Sequence, residues 1–222
     1  MNTARRRIDA DYFTRREAFA AAYAEVPLLE VADQWPLYVG TMNLARHLAL
    51  YDLLRPTLTI PGHIAELGVW HGSTLVFLAK MLQILDPHGL TEIYGFDTFT
   101  GLEDGRYRGD EARLRAALVM ADVQEQVQLI KGPIEETLPA FLSARPEIMF
   151  RCVVFDADAY LPTKVGLDQL MERMSAGGVL IFDEYNCAGH PGETLAVREL
   201  LRRYPLRAVP HTRQPTAYCV VT

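Results

Sequence analysis

The chain has 222 residues, half of them apolar, enough to bury the core of one domain with some decoration and too few to argue for two independent domains. Its 22 basic and 28 acidic side chains give a formal charge of −6, and the short run Arg5–Arg7 makes no basic stripe, so the composition argues against a nucleic-acid partner and for a small molecule. The three cysteines, Cys152, Cys187 and Cys219, stand far apart with no C-x-x-C spacing, and neither a signal-type apolar stretch nor a run of about 18 apolar residues occurs, which predicts reduced thiols, no membrane span and a cytoplasmic location.

From Ala4 to Tyr23 the pattern is polar and helical, with Ile8, Tyr12, Phe13, Phe19 and Tyr23 on one side, and such a helix needs a partner surface. A second helix is predicted over Thr41–Leu54, ending ahead of Pro56 because the residue before a proline is pushed out of the helical region. Residues 1–60 therefore read as a helical leader, a lid or an oligomer contact, placed before a main unit over residues 61–222.

From His63 onward, apolar strands alternate with helical segments. HIAELGVW is followed by STLVFLAKMLQIL, EIYGFD by EARLRAALVMA, VQLIKG by EETLPAFLSAR, CVVFD by VGLDQLMERM, and GVLIFD by ETLAVRELLRRY. That alternation predicts an α/β, Rossmann-like fold, a mostly parallel sheet with helices on both faces. LRAVP and TAYCVV, separated by the turn-like HTRQP, read as a closing antiparallel hairpin.

Ligands of such sheets bind outside the carboxyl ends of the strands. Asp97, Asp156, Asp158, Asp183 and Glu184 all fall there, as does the turn carrying Gly68 and Gly72. The spacing G-x-x-x-G lacks the dinucleotide pattern G-x-G-x-x-G, and no G-K-[ST] follows, which favours a phosphate-free nucleoside ligand. Asp97 occupies the place where an acidic residue accepts hydrogen bonds from ribose hydroxyls, with a cap after the strand as its plainer role. Glu66 can reach the amino end of a cationic ligand, or be a buried carboxylate held by backbone donors. Clustered carboxylates repel one another unless protons or a cation neutralise them, and a hard divalent cation such as Mg²⁺ suits the set Asp156, Asp183 and Glu184.

The stretches IPGHIAELGVWHGSTLVFLAKML, IYGFDTFTGLED, VVFDADAYLPTKVGLDQLMERMSAGGVLIFDEY and AVRELL together resemble the class I S-adenosylmethionine-dependent methyltransferases, and within them the macrocin O-methyltransferase family. The resemblance runs from about Thr41 to the end of the sequence given and implies a seven-stranded sheet whose last strand is antiparallel. It also implies that Glu66, Gly68, Gly72, Ser73 and Thr74 surround the methionine part of S-adenosylmethionine, that Asp97 holds the ribose, and that Thr98 and Phe99 flank the sugar and adenine. Ile134 and Glu135 would add adenine contacts, and Thr41 and Met42 would close the site from the leader. In the family, the first Asp of D-x-D and an acidic pair after GGV bind Mg²⁺; here that pair is Asp183–Glu184 in place of two aspartates.

The reaction implied is methyl transfer to a hydroxyl of a small-molecule acceptor, typically a sugar on a natural product. A metal lowers the hydroxyl pKa and aims its oxygen at the methyl group, and a base takes the proton. Asp158 and Asp156 are the best placed bases, with His190 a second candidate that also reads as an ordinary loop histidine. Trp70, Phe99, Tyr160 and Tyr185 stand where they can line the acceptor pocket, while Lys164 reads as a surface residue. The competing readings are a haloacid-dehalogenase-like phosphatase, which also ends a strand in D-x-D but begins with that motif, and a methyltransferase-like binding protein without turnover. A homo-oligomer is expected from the aromatic side of the leader.

Overall fold

The computed structural model describes residues 3–102, 105–201 and 204–222, with side chains of the first helix given from Asp11 on, Phe13 excepted. The Ile8 and Phe13 side chains, the Glu103–Asp104 end of FDTFTGLED, and Arg202–Arg203 at the end of the last predicted helix lie outside the described residues.

Seven strands form one sheet: β1 (His63–Leu67), β2 (Ile93–Asp97), β3 (Val127–Lys131), β4 (Phe150–Phe155), β5 (Met174–Phe182), β6 (Arg207–Ala208) and β7 (Ala217–Val220). Their order is β3-β2-β1-β4-β5-β7-β6, with β7 antiparallel to both neighbours and the others parallel, so the predicted closing hairpin and antiparallel last strand are present. Between the strands run α5 (Ser73–Leu85), α6 (Glu111–Met120), α7 (Ile134–Ala144), α8 (Tyr160–Leu170) and α9 (Pro191–Leu200).

The period of two along each strand decides which core a side chain enters. Ala65, Leu67, Tyr94, Phe96, Val153, Phe155, Leu180 and Phe182 pack with Leu138, Leu142, Leu167, Leu170 and Val197 of α7, α8 and α9. Their neighbours Ile64, Ile93, Cys152, Val154, Val179 and Ile181 point the other way, toward Leu75, Leu78, Leu82, Leu114 and Leu118 of α5 and α6. Cys152 and Cys219 are buried free thiols within these cores.

The leader is built of α1 (Thr3–Ala22), α2 (Leu28–Asp33), α3 (Trp35–Tyr38) and α4 (Thr41–Leu54). The short helices α2 and α3 have no counterpart in the sequence reading. At six and four residues they carry too few turns for a periodic signal, and neither buries a residue fully. The α1 helix packs on them: Phe19 stacks on Tyr23 at 4.6 Å and meets Tyr38 edge-on at 5.9 Å, and the Tyr12 hydroxyl donates to the Tyr38 carbonyl. In contrast, α4 enters the main core through Leu50 and Leu54, both fully buried. Among the described residues, no helix is long and apolar enough to cross a membrane.

Candidate functional site

Several segments converge at the carboxyl ends of the strands, and the turn after β1 runs closest to its neighbour. Gly68 has φ 91°, and a Cβ added there would stand 2.1 Å from the Asp156 carbonyl oxygen, so only glycine lets the exit of β1 run against the exit of β4. Trp70, Phe99 and Asp158 also have positive φ, at 50°, 58° and 58°. Left-handed backbone at non-glycine residues is sparsely populated and clusters at ligand sites, where the surrounding structure holds it.

Asp97 is the organiser of this turn. Its Oδ2 accepts hydrogen bonds from the Val69 and Trp70 N–H groups at 2.7 and 2.8 Å, and Oδ1 accepts from Phe99 N–H at 2.6 Å. The plainer capping role is thus filled, and since a carboxylate offers about four acceptor positions, the three N–H groups do not exhaust it. The turn leading from β3 to Ile134 and Glu135 lies beside it, with Gly132 N–H donating to the Asp97 carbonyl at 3.0 Å. Ile134 itself is buried in the core with Tyr94 and Phe96, while Glu135 is half-exposed. Phe99 departs from expectation. The residue is 5% exposed and belongs to the core cluster that holds Val69 and Leu114, with a positive φ of 58° and its N–H on Asp97.

Glu66 sits on the α5 side of β1, 1% exposed, and its Oε2 has no hydrogen-bond partner. Burial first, and then the Asp156 charge, hold its carboxyl well above the usual carboxylate range, with Arg46 opposing. Ser73 and Thr74 open α5 beside it, Ser73 exposed and Thr74 buried.

Arg46 is the residue that sequence reasoning missed. It projects from α4, and its Nη2 donates to Asp156 Oδ2 at 2.8 Å and to Thr74 Oγ1 at 3.0 Å, while its Nη1 is bonded to Asp183 Oδ1. Burial pulls its proton affinity down, but Asp183 and Asp156 outweigh that and raise it above the ordinary arginine value. The signal was present in the spacing: Arg46, Leu50 and Leu54 lie four residues apart, on one helix face, and the last two are core. Asp156 and Asp183 thus already have a cation between them. Both carboxyls remain above their ordinary range, Asp156 through burial and Asp183, and Asp183 through burial, with Arg46 opposing in each case.

The other two acids are placed differently. Asp158 Oδ1 lies 3.4 Å from His190 Nδ1, and one ligand atom from each of Asp158, Glu184 and His190 falls within 4.8 Å of the others. Glu184 is 5% exposed; its Oε1 accepts from Gln214 Nε2, its Oε2 has no partner, and Asp158 Oδ1 likewise has no hydrogen-bond donor. Burial, opposed by His190 and aided by Glu184, pushes the Asp158 carboxyl up to about 6. Beyond His190, its Nε2 stands 3.4 Å from the Tyr107 hydroxyl, and Tyr107 meets Trp70 edge-on at 5.8 Å. Beneath, Glu193 of α9 is fully buried, accepts the Glu184 N–H at 2.9 Å and is pushed up to about 9 by burial and then Asp183.

The donor chemistry fits a divalent cation at the second cluster, where carboxylate oxygens lack donors, and a cationic ammonium at Glu66. Of the remaining predicted residues, Met42 is half-buried, its Sδ 3.8 Å from Arg213 Nη1, and Thr41 is exposed at the start of α4. Thr98 is half-buried and its Oγ1 accepts from Thr100 N–H at 3.2 Å. Tyr160 turns away from the site to donate to Glu199 Oε2 at 2.6 Å, Tyr185 packs against the core, and Lys164 pairs with Asp168 at 3.0 Å on the helix surface.

A family model described as Macrocin-O-methyltransferase (TylF) matches residues 4–202. A tetracenomycin-C 4'-O-methyltransferase of Streptomyces olivaceus, acting on an 8-demethyl-8-(2,3-dimethoxy-alpha-L-rhamnosyl) form, is 29% identical over 175 residues, covering 68% of this chain and 64% of its own. Demethyldecarbamoylnovobiocin O-methyltransferase of Streptomyces niveus is 28% identical over 146 residues, covering 57% and 53%. The match therefore spans between about half and just under two thirds of the length of these curated relatives. The crystal structure of CalS11, a calicheamicin methyltransferase, is 28% identical with a TM-score of 0.83 over 95% of this chain and 91% of that one. The O-methyltransferase NovP, 22% identical with a TM-score of 0.70 over 81% and 80%, shares the fold.

Proposed function

The chain belongs to the macrocin O-methyltransferase family, and from that premise we propose that it transfers a methyl group from S-adenosylmethionine to a hydroxyl of a small molecule, a sugar of a natural product. CalS11 is described as a TDP-rhamnose 3'-O-methyltransferase, which supports a deoxysugar as the acceptor class. The observation that carries the reading is the buried, partnerless carboxyl oxygen of Glu66 beside the turn that Asp97 holds, an acceptor suited to the ammonium end of a cationic nucleoside.

In this reading Asp97 orients the ribose with its remaining acceptor position, Glu66 holds the amino group, and Thr74 stands at the carboxylate. The acceptor oxygen approaches the methyl carbon in line, a C–O bond forms as the S–C bond breaks, and the sulfonium becomes a neutral thioether. Asp156, half-buried and with raised proton affinity, takes the hydroxyl proton, and Arg46 fixes its carboxylate. A divalent cation such as Mg²⁺, when bound at the acids, supplies Lewis-acid polarisation of the acceptor hydroxyl. Trp70 and Tyr107 form the aromatic rim of the acceptor side. The exposed Leu28, Leu29 and Leu37 of the leader support contact between copies of the chain, to be checked by sedimentation.

The test is calorimetry with S-adenosylhomocysteine, followed by mass spectrometry of nucleotide deoxysugars and glycosylated aglycones incubated with S-adenosylmethionine. Binding together with a gain of one methyl is expected; a folded chain that binds no S-adenosylhomocysteine would overturn the reading.

A further inference from the structure

At the opposite end of the sheet from the acidic strand ends, a cleft of about 430 Å³ opens between the start of β1, the end of α5 and the segment that joins α4 to β1. Its walls include Leu58, Ile60, Pro61 and Leu90, and Asp86 and Arg151 reach it as charged side chains. The β1 strand is five residues long, so at about 3.3 Å per residue the cleft lies roughly 16 Å from the turn after β1. We propose that this cleft is a second binding site, for the carboxylate of a small apolar acid, with the Arg151 guanidinium as its anchor. The site stands apart from methyl transfer, which uses none of these residues.

The backbone sets Arg151 apart from its strand. In the β1–β4 ladder His63 pairs with Phe150 and Ile64 with Cys152, so Arg151 is the extra residue of a bulge, and a bulge re-aims the side chain it carries. Gly62, at φ 134°, makes room for it: a Cβ there would stand 2.9 Å from the Arg151 backbone nitrogen. Arg151 is 3% exposed, and its Nη1 donates to the Leu58 and Ile60 carbonyls at 3.1 and 3.3 Å. The other edge of the guanidinium, Nε with Nη2, has no hydrogen-bond partner among the described residues. On that edge two N–H bonds run parallel, the fork that a carboxylate fills with its two oxygens.

Charge and shape set the ligand class. Asp86 Oδ2 stops 3.9 Å from Nη2, beyond hydrogen-bond reach, so it balances part of the charge without filling the fork. Burial pulls the proton affinity of Arg151 down, with Asp86 opposing, and a buried donor without an acceptor carries a desolvation cost that an incoming acceptor removes. One guanidinium beside one aspartate matches a monoanion rather than a phosphate dianion. The leucine, isoleucine and proline walls match a hydrocarbon body. Both nitrogens are sealed from the surface, so the acid reaches them by turning aside the Asp86 carboxylate, which lines the same cleft.

The measurement is calorimetry and amide NMR of the full chain with benzoate and hexanoate, with benzamide as the uncharged control and inorganic phosphate as the competing anion. Both carboxylates should bind once per chain and shift the amide signals of Gly62 and Arg151, while benzamide and phosphate leave them in place. Asp86→Asn removes the competing charge and should tighten benzoate by roughly threefold or more, with S-adenosylhomocysteine affinity unchanged. Arg151→Lys keeps a charge but loses the fork and should weaken benzoate by roughly tenfold or more; should that variant fail to fold, Asp86→Asn decides alone. Silence of both the wild type and Asp86→Asn toward the carboxylates at tens of millimolar overturns the proposal and leaves Arg151 as a clamp on the Leu58 and Ile60 carbonyls. Phosphate binding in place of the carboxylates, benzamide binding as tightly as benzoate, or weaker benzoate binding in Asp86→Asn overturns it as well.

Discussion

The nucleoside side and the acceptor side of the site are built on opposite terms. On the nucleoside side, Asp97 is bound by three backbone N–H groups from two loops, and the turn after β1 is held at its final spacing by Gly68. On the acceptor side, buried oxygens of Asp158 and Glu184 have no donors, and the histidine beside them hangs on a loop. A satisfied network is rigid without its ligand, whereas a partly satisfied one costs free energy until a ligand completes it. The Asp97 turn is therefore satisfied as it stands, whereas Glu66 on the same side and Asp158 and Glu184 on the other each keep a buried oxygen without a donor.

Substitutions can break this contrast. The largest effect is expected from Asp156→Asn, which removes the proposed base and should lower turnover by about 10²–10⁴-fold while S-adenosylhomocysteine affinity by calorimetry stays near wild type. Equal loss of both would place Asp156 on the nucleoside side instead. Next, Arg46→Ala leaves Asp156 and Asp183 facing each other without a cation and should cost about 3 kcal/mol of stability at pH 8. That loss should shrink at pH 5, where the freed carboxylates take up protons, as denaturant melts at the two pH values will report.

Asp97→Ala strips the acceptor from three backbone N–H groups and, in the proposed reading, from the ribose as well. It should lower stability by about 1–3 kcal/mol and weaken S-adenosylhomocysteine by about tenfold or more. Weakened binding in a chain with a wild-type melting curve would show that the turn holds itself and that Asp97 serves the ligand alone.

The smallest effect concerns Glu193. Its carboxyl is pushed up to about 9 from an ordinary 4.5, so between these values the folded chain holds a proton that the unfolded chain has lost. Stability therefore falls as pH rises through that window. Glu193→Gln keeps the Oε1 acceptor for Glu184 N–H and has no proton to lose, so it should melt higher than wild type at pH 8.5, by on the order of 1 kcal/mol, with the difference closing near pH 5. Parallel melting curves at all pH values would mean that Glu193 titrates normally.

Much of this protein was legible before any tertiary contact was known. The alternation of apolar strands and helices, the closing hairpin, and the acidic residues at the strand ends depend on periods of two and 3.6 that neighbouring residues encode directly. The bounds of α4 and α5 follow from the same local signals. What each acid touches was decided elsewhere. Arg46 meets Asp156 and Asp183 across 110 and 137 residues of sequence, and Gln214 reaches Glu184 from the β6–β7 loop. Phe99 reads as a pocket residue along the chain and is buried in space, in one cluster with Val69 of the neighbouring turn and Leu114 of α6. Where the charges cluster can be read along the chain, since strand ends are local features. Which of them are paired and which keep an oxygen without a donor depends on side chains that the packing of distant segments brings together.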